Sequence, residues 1–419
     1  MFKNYISYIF LLLATSLFAQ TELLQKHLES EFYQNQFTGF YLYDPIDKKE
    51  VFNYNGNKYF TPASNTKIFT LYAAMKTLKD SIPAFKYVIN GDELHIEGTG
   101  DPTFMHPKFK NPKVIEFLKN NGKKIVFHWD NFSEESFLPG WTWDDFRKNY
   151  SPERSQFPIN ENLVTITKSS GKLSTFPATF KNLTLINENT QPRDFYENKF
   201  YISSKRSSLK VPFIVKEDVI KEAIFEIVGK PVEMTKMAMP KSFSIFYSVP
   251  TDGVYKEMME ESDNFLAEHL LILTSSTMNG KLSANQAIKF IQNNYLTDLT
   301  QKPEWHDGSG LSRYNLFTPK NMVQILNKMY TDFPEDRLFK IFPIGGKTGT
   351  LKNRFNDSVN PYIYAKTGTL SNTVTLSGFL KTKSGKVLTF SLMNNNAMKD
   401  LNSVRKENDK LLRLVRDMY

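Results

Sequence analysis

The sequence predicts a mixed α/β (α+β) protein in which an antiparallel sheet is flanked by helices and a mixed α/β domain is inserted. Three observations support this fold class. An apolar helical pattern covers residues 68–78, the segment from residue 85 contains short β-prone pieces, and a β-prone run over 362–365 leads into a predicted hairpin. Polar, irregular sequence follows the short β-prone pieces to about residue 210. We therefore predict one domain that is interrupted by an insertion.

The composition is that of an ordered globular protein, large enough for two or three domains. The chain has 419 residues, of which 40% are hydrophobic and 14% aromatic. Its net charge is +9, and its lysines and arginines are scattered, which favours a loose attraction to anionic envelope polymers. Nucleic-acid binding would fit this charge too, but the predicted export described next argues against it.

Residues 1–19 have the three zones of a secretory signal peptide. Lys3 precedes an apolar run over 6–14, and Ala19 is a small residue at the expected cut. Leu17 stands where a small residue is usual, so the cleavage point stays open. A retained membrane anchor is the weaker alternative, because the apolar run is shorter than the roughly 20 residues that a span needs. We expect export to the periplasm of a Gram-negative bacterium.

The residue types that hold metals are sparse or unfavourably spaced. The chain has no cysteine, which excludes disulfides, a thiol nucleophile and lipid attachment at a cysteine. Its six histidines, among them His269 and His306, form no ligand spacing such as H-E-x-x-H. We therefore expect neither a metal nor a cofactor.

Ser64 and Lys67 are spaced as a nucleophile and its base would be on one helix. A serine hydroxyl is a poor nucleophile at neutral pH and needs a base within hydrogen-bond distance. Residues three apart share a helix face, and Pro62 stands just ahead of the predicted helix. The S-x-x-K string alone is weak support, because it also begins at Ser169, Ser207 and Ser403.

A second polar string, Ser-x-Asn, occurs three times, and Ser262-Asp-Asn264 is the best candidate for a site. Ser283 precedes an apolar pattern at helical spacing and is predicted to be a helix N-cap. Ser358 lies in a turn-rich stretch that predicts a loop. Ser262 falls between the apolar helical patterns 254–259 and 265–273, which could fix a polar turn at the edge of a cleft. A helix cap is the alternative for this string as well.

Lys-Thr-Gly-Thr occurs twice, and the copy at Lys366 is the better candidate. Lys347, which begins the other copy, stands among glycines, a proline and polar residues typical of a loop. Lys366 ends a β-prone run, and two more β-prone runs over 374–380 and 387–392 predict the hairpin. The edge of such a strand can offer backbone N–H groups to a bound peptide.

Together, Ser64-x-x-Lys67, Ser262-Asp-Asn264 and Lys366-Thr-Gly368 resemble the signature of class A β-lactamases and penicillin-binding proteins. The 198 residues from Ser64 to Ser262 exceed what a β-lactamase domain places there. A long insertion at this point resembles the class C low-molecular-mass penicillin-binding proteins. These are the D-alanyl-D-alanine carboxypeptidases/endopeptidases of the penicillin-binding protein 4 type, peptidase family S13.

Three more segments, 98–103, 139–145 and 307–313, resemble recurring segments of that family. Without the resemblance, Asp307 to Gly310 would be a tight turn, and we assign it a structural role.

The resemblance implies a penicillin-binding-protein/β-lactamase-like transpeptidase fold. It also implies a catalytic domain over 20–84 and 238–419 and an inserted domain over 85–237. The insertion is shorter than is common in the family, which leaves a third subdomain open.

The function implied is a serine-type D-Ala-D-Ala carboxypeptidase or endopeptidase that acts on peptidoglycan stem peptides and is inhibited covalently by β-lactam antibiotics. Ser64 would attack the penultimate D-alanine, and Lys67 would take its proton, with Lys366 helping to depress the pKa of that amine. Ser262 would pass a proton to the leaving nitrogen, and Asn264 would bind the substrate amide.

The resemblance also implies the groups that bind substrate. Lys366 and the hydroxyls of Thr367 and Thr369, which flank Gly368, would bind the terminal carboxylate. The backbone N–H groups of Ser64 and Thr369 would form the oxyanion hole.

Asp145 and Arg354 would contact the diamino acid of the stem peptide, although solvated surface charges are the equal alternative for both. The Lys347 copy stands where the family usually has a Gly-Thr-Leu turn without the lysine, which puts the loop geometry next to Arg354 in doubt.

Three other functions compete with this one. A β-lactamase of class A would need a glutamate in an E-x-x-L-N string, and an α/β-hydrolase esterase would need G-x-S-x-G; the chain has neither. An inactive peptidoglycan-binding relative or an assembly scaffold would not need the predicted nucleophile and its partners.

Overall fold

The computed structural model describes residues 20–188, 191–278, 281–356 and 359–419. The predicted signal peptide over 1–19 and the predicted loop residue Ser358 lie outside these ranges. Within the described ranges, no helix has the length and apolar character that crossing a membrane requires.

The strands, in chain order, are β1 Phe37–Asp44, β2 Lys49–Tyr54, β3 Ser81–Asn90, β4 Glu93–Gly98, β5 Lys124–His128, β6 Leu163–Ser169, β7 Lys172–Phe176, β8 Thr184–Ile186, β9 Phe200–Ile202, β10 Ser208–Pro212, β11 Val232–Thr235, β12 Ser244–Pro250, β13 Ile363–Leu370, β14 Thr373–Lys381 and β15 Val387–Asn395. The named helices are α1 Thr66–Thr77, α2 Pro112–Asn120, α3 Glu217–Val228, α4 Thr251–Glu260, α5 Asn264–Ser276, α6 Ala284–Tyr295, α7 Pro319–Asp332, α8 Glu335–Ile341 and α9 Leu401–Met418. Residues 20–28 are helical too.

The first sheet is antiparallel, with the strand order β13-β14-β15-β1-β2. The predicted hairpin is confirmed as β14 and β15, and Lys366 lies on the edge strand β13. Backbone bonds from Ala365 N to Pro343 O (3.0 Å) and from Gly345 N to Ile363 O (2.9 Å) cover the first part of that edge. Beyond Ala365, no strand in the described part of the chain pairs with the outer edge of β13.

The second sheet is mixed, with the strand order β11-β5-β4-β3-β12. The β4–β5 and β5–β11 pairs are parallel, and the other two pairs are antiparallel. The strands of this sheet come from residues between Ser81 and Pro250, so the sheet extends beyond both ends of the predicted insertion 85–237. The difference arises because β12, which we placed in the catalytic part, pairs with β3. The division into a catalytic and an inserted domain remains a prediction.

The stretch predicted to be irregular up to residue 210 contains five short strands. Three form a sheet in the order β10-β6-β7, and β8 pairs with β9. The sequence did not indicate them because β8 and β9 are only three residues long, and β6, β7 and β10 carry lysine, serine or threonine on exposed positions. Strands of this kind lack the apolar periodicity on which the prediction depends.

The helices α1 and α5 lie in the centre of the largest hydrophobic core and fix two corners of the site. Residues 66–75 of α1 and 265–275 of α5 are buried on every side, which is typical of a helix enclosed by other elements. On α1, Phe69 stacks on Phe317 with ring centroids 4.5 Å apart and meets Trp305 edge-on at 5.6 Å. The N-terminal ends of α1 and α5 are therefore held rigidly.

Candidate active site

Ser64 lies in a one-turn 3-10 segment, Ala63–Asn65, that leads directly into α1. The predicted helix is therefore confirmed, with Pro62 just ahead of it. Ala63 has a φ of 50°, a conformation that is costly for a residue with a side chain. Gly310 packs directly against this turn, and a Cβ added to it would lie 2.0 Å from the Ala63 carbonyl oxygen. Only glycine fits at that position.

The Lys67 amine is fully buried and contacts three oxygens. They are Ser64 Oγ at 3.0 Å, Asn264 Oδ1 at 2.7 Å and the Ser309 carbonyl oxygen at 2.7 Å. The spacing of the S-x-x-K string predicts the first contact, whereas Asn264 was predicted as a site residue without a bond to Lys67. The third comes from the segment 307–313, to which we assigned a structural role.

The partners of Lys67 determine where its lone pair points. The Ser309 carbonyl can only accept hydrogen bonds. Asn264 Nδ2 donates to the Tyr150 carbonyl at 3.0 Å, so Oδ1 is the atom that faces Lys67, and it too is an acceptor. A neutral amine has two N–H groups, and these two oxygens use both. The lone pair of the neutral Lys67 amine is then directed at the Ser64 hydroxyl.

Burial lowers the pKa of Lys67 to about 8, whereas the carboxylates of Asp307, Asp263 and Glu268 act in the opposite direction. We predicted that Lys366 would depress this pKa, but the main cause is burial. A pKa near 8 leaves roughly a tenth of the amine in its basic form at pH 7. Lys67 can therefore act as a general base near neutral pH.

Lys366 and Ser262 form the opposite side of the site. The buried Lys366 amine donates to Ser262 Oγ at 2.8 Å and to the Thr367 carbonyl at 2.9 Å. Burial holds the pKa of Lys366 well below its usual value, and the nearby Lys67 charge lowers it further. Ser262 lies between α4 and α5, as predicted, with a φ of 58°. This strained turn is held by the N-cap of α5, where Asp263 Oδ1 accepts from Leu266 N at 2.8 Å.

Asn65 joins the Ser64 turn to the first sheet. Its Nδ2 donates to the Lys366 carbonyl at 2.6 Å, and its Oδ1 accepts from Ser377 Oγ at 2.8 Å. Close approach also explains Gly368, because a Cβ there would lie 2.2 Å from Thr375 Oγ1. The nucleophile turn and β13 are thus fixed against each other.

Asp307 organises the loop that delivers the Ser309 carbonyl. Its carboxylate accepts from Gly310 N at 2.8 Å, from Ser312 N at 2.6 Å and from Asn315 Nδ2 at 2.7 Å. Glu268 Oε1, on α5, accepts from Ser309 N at 2.8 Å. Burial, with the nearby Asp307 charge, raises the pKa of Glu268 to about 7. The structural role of this loop therefore includes holding a partner of Lys67.

The two threonines of the second Lys-Thr-Gly-Thr copy lie along the open end of β13. Thr367 Oγ1 is 2.9 Å from Thr350 Oγ1, which belongs to the first copy. Thr369 is exposed, and its Oγ1 accepts from Arg405 Nη2, on α9, at 3.0 Å. Lys347 is exposed and has no side-chain partner among the described residues. The first copy is thus a neighbouring loop, as predicted.

Asp145 and Arg354 lie outside this cluster of contacts. Asp145 is half-buried in a 3-10 segment and accepts from Tyr150 OH at 2.7 Å. Since the Tyr150 carbonyl also binds Asn264, Asp145 is two hydrogen bonds from the site. Arg354 is committed to Asp409, with Nε 3.1 Å from Oδ2 and a second bond through Nη2. Their contact with substrate stays a prediction.

One group of possible metal ligands occurs in the described part of the chain. His106, Glu161 and Asp263 bring ligand atoms within 4.8 Å of one another. His106 Nδ1 accepts from Lys108 N at 3.1 Å, so the neutral ring carries its proton on Nε2, the atom that faces Glu161. Glu161 is also paired with Lys210 at 2.9 Å. A ring that carries its proton on Nε2 offers no lone pair to a metal ion at that atom.

The geometry agrees with the comparison to protein families. The model of the "D-Ala-D-Ala carboxypeptidase 3 (S13) family" matches residues 20–191 and 228–415. The chain belongs to this family. The predicted enzyme class is therefore confirmed: the chain is a hydrolase of the D-Ala-D-Ala carboxypeptidase type.

Curated relatives cover most of the chain. It is 24% identical over 430 residues to the D-alanyl-D-alanine carboxypeptidase DacB of Haemophilus influenzae, with 88% of this chain and 87% of that protein covered. It is also 24% identical over 397 residues to penicillin-sensitive carboxypeptidase A of Dictyostelium discoideum, with 79% of this chain and 76% of that protein covered.

Solved structures confirm the predicted fold. The crystal structure of penicillin binding protein 4 (dacB) from Haemophilus influenzae matches with a TM-score of 0.72 and 21% identity, over 94% of this chain and 98% of that chain. A structure of the same protein complexed with a β-lactam has a TM-score of 0.66, 21% identity and the same coverage. The Bd3459 predatory endopeptidase of Bdellovibrio bacteriovorus, in complex with an immunity protein, matches with a TM-score of 0.52 and 16% identity. The match covers 91% of this chain and 93% of that chain.

The pKa of Lys67 predicts the pH dependence of acylation. Because that pKa is lowered to about 8, an acylation that uses the free Lys67 amine as its base should speed up with pH and level off above about pH 8. Stopped-flow acylation by a chromogenic β-lactam between pH 6 and 10 measures this profile. An acylation rate that rises with a midpoint near pH 10.5, the usual lysine pKa, would contradict the assignment of Lys67 as the base.

Proposed function

We propose that this D-Ala-D-Ala carboxypeptidase acts as a carboxypeptidase or endopeptidase on peptidoglycan stem peptides through an acyl-enzyme at Ser64. The observation that carries the proposal is the Lys67 amine, 3.0 Å from Ser64 Oγ, with two carbonyl oxygens taking its other hydrogens. The named carboxypeptidase relatives and the β-lactam complex of the Haemophilus influenzae structure support the same chemistry.

Acylation begins when Ser64 Oγ attacks the carbonyl carbon of the penultimate D-alanine. The Ser64 proton moves to the lone pair of Lys67 Nζ, and the C–O bond forms as the carbonyl oxygen becomes an oxyanion. The backbone N–H groups of Ser64 and Thr369 stabilise that oxyanion. A positioned general base of this kind accelerates such a step by typically 10²- to 10⁴-fold.

Release of the leaving group uses the other half of the site. Ser262, which accepts from Lys366 at 2.8 Å, gives its hydroxyl proton to the D-alanine nitrogen as the C–N bond breaks. It takes in return the proton that Lys67 received from Ser64, so Lys67 is again a free amine. Asn264 binds the substrate amide. Water then attacks the Ser64 ester and gives one proton to the free Lys67 amine. Lys67 passes that proton to Ser64 Oγ as the C–O bond to Ser64 breaks, and the shortened peptide leaves as its carboxylic acid.

Substrate contacts follow the open end of β13. Lys366, Thr367 and Thr369 bind the terminal carboxylate, and Gly368 lets the strand lie against the Ser64 turn. Asp145 and Arg354 are proposed to contact the diamino acid of the stem peptide. Arg354 would have to exchange its bond with Asp409 for one with the substrate.

The proposed location is the periplasm, on the basis of the signal-like pattern over residues 1–19. Peptidoglycan is the proposed partner there, with β-lactam antibiotics as covalent inhibitors. The net charge of +9 supports at most a loose association with anionic envelope polymers.

Labelling with a fluorescent penicillin tests the nucleophile and the choice of lysine. Ser64→Ala should lose the label, because no hydroxyl remains to form the ester. Lys67→Met should slow labelling by roughly 10²- to 10⁴-fold, because the base is lost. Lys347→Ala is the matched control for Lys366→Ala and should label normally. If Lys347→Ala abolishes labelling and Lys366→Ala does not, the catalytic lysine has been misassigned.

Incubation with muropeptides, followed by mass spectrometry, separates the activities. Loss of one D-alanine from a pentapeptide indicates a carboxypeptidase, and splitting of cross-linked dimers indicates an endopeptidase. Both products should be absent with Ser64→Ala. Unchanged muropeptides with the wild-type enzyme would favour an inactive binding relative, and rapid hydrolysis of penicillin without a lasting adduct would favour a β-lactamase-like enzyme.

A further inference from the structure

We propose that Arg405, on α9, is a positioning residue for the terminal carboxylate of the substrate and sets the preference for a free carboxylate over an amide. The inference rests on the proposed function, in which that carboxylate binds at the open end of β13. It adds to that function a cation from the C-terminal helix, which none of the sequence motifs contains.

Arg405 is bonded directly to the strand that binds substrate. Its Nη2 donates to Thr369 Oγ1 at 3.0 Å, and its Nη1 donates to Asn402 Oδ1 at 2.6 Å. A guanidinium has no acceptor, so Thr369 Oγ1 must accept from it. The hydroxyl hydrogen of Thr369 is then free to point away from Arg405. This leaves the hydrogen available to a carboxylate oxygen at the exposed end of β13.

Arg405 makes no direct ion pair with a carboxylate among the described residues, although Asp400 and Asp409 lie near enough to favour its charged form. The closest acids on α9 are already engaged: Asp409 pairs with Arg354, and the cap residue Asp400 accepts from Ser403 N at 3.0 Å. The Arg405 side chain is half-buried and binds only neutral groups. A half-buried cation with no carboxylate in direct contact, beside a hydroxyl that faces the site, suits a carboxylate ligand.

Arg405 also supplies a full positive charge to the terminal carboxylate, which Lys366 does not. The Lys366 amine is committed to Ser262 Oγ and the Thr367 carbonyl. Burial holds the pKa of Lys366 well below its usual value, which reduces the charge it can offer to a carboxylate. Burial lowers the pKa of Arg405 too, but a guanidinium starts from a value above about 12, stays protonated near neutral pH and can bind a carboxylate with two parallel bonds. Arg405 is therefore the dependable cation at this end of β13.

A matched pair of substrates tests the proposal: an acylated D-Ala-D-Ala peptide and its C-terminal amide. With Arg405→Met, kcat/KM for the acid should fall by roughly 10- to 100-fold, the loss typical of one charge-assisted hydrogen bond, while kcat/KM for the amide should change little. Arg405→Lys should recover part of the loss. Lys406→Met, a change at the exposed neighbouring residue, should leave both substrates unaffected. Equal loss for acid and amide, or loss for neither, would overturn the proposal.

Binding in a Ser64→Ala background separates this proposal from the proposed nucleophile. Calorimetric Kd values should favour the acid over the amide in Ser64→Ala, and that preference should shrink by roughly 10- to 100-fold in Ser64→Ala/Arg405→Met. If the preference for the acid is the same in the double variant as in Ser64→Ala, the role of Arg405 is wrong whichever residue is the nucleophile. Turnover that survives in Ser64→Ala would instead overturn the acyl-enzyme at Ser64 alone.

Discussion

The site depends on one buried amine, that of Lys67, which is surrounded by oxygens from three separate segments. Ser64 lies three residues before it, Asn264 begins α5, and the Ser309 carbonyl belongs to a loop more than 200 residues away. Two of these oxygens can only accept, so they determine which face of the neutral amine carries the lone pair. Burial supplies the second requirement, because it lowers the pKa enough for a neutral amine to exist near pH 7.

Much of the surrounding structure holds these three segments together. The helices α1 and α5 are buried on every side, so the residues at their N-termini have little freedom. Gly310 and Gly368 permit backbone approaches that a side chain would block, and Asn65 ties the Ser64 turn to β13. Arg405 extends the same arrangement to α9, since it fixes the hydroxyl of Thr369 from outside the sheet.

The sequence predicted the parts of the site that depend on residue type and local periodicity. The α1 helix, the turn at Ser262, the N-cap at Ser283 and the strand at Lys366 are all present, and Ser283 Oγ accepts from Gln286 N at 3.3 Å. Backbone partners could not be predicted in this way, because the carbonyls of Ser309 and Tyr150 are available in any residue. The pairing of β12 with β3 and the approach of Arg405 are long-range contacts, and no local pattern indicates them.

The most direct test of this account is the ionisation of Lys67 itself. In protein labelled with ¹³C at the lysine ε-carbon, the Lys67 signal can be assigned by its absence from the Lys67→Met variant and followed from pH 6 to 11. The account predicts a midpoint near pH 8, well below the ordinary lysine pKa of about 10.4. A midpoint at or above 10 would show an ammonium ion that cannot accept the Ser64 proton, and would contradict the mechanism.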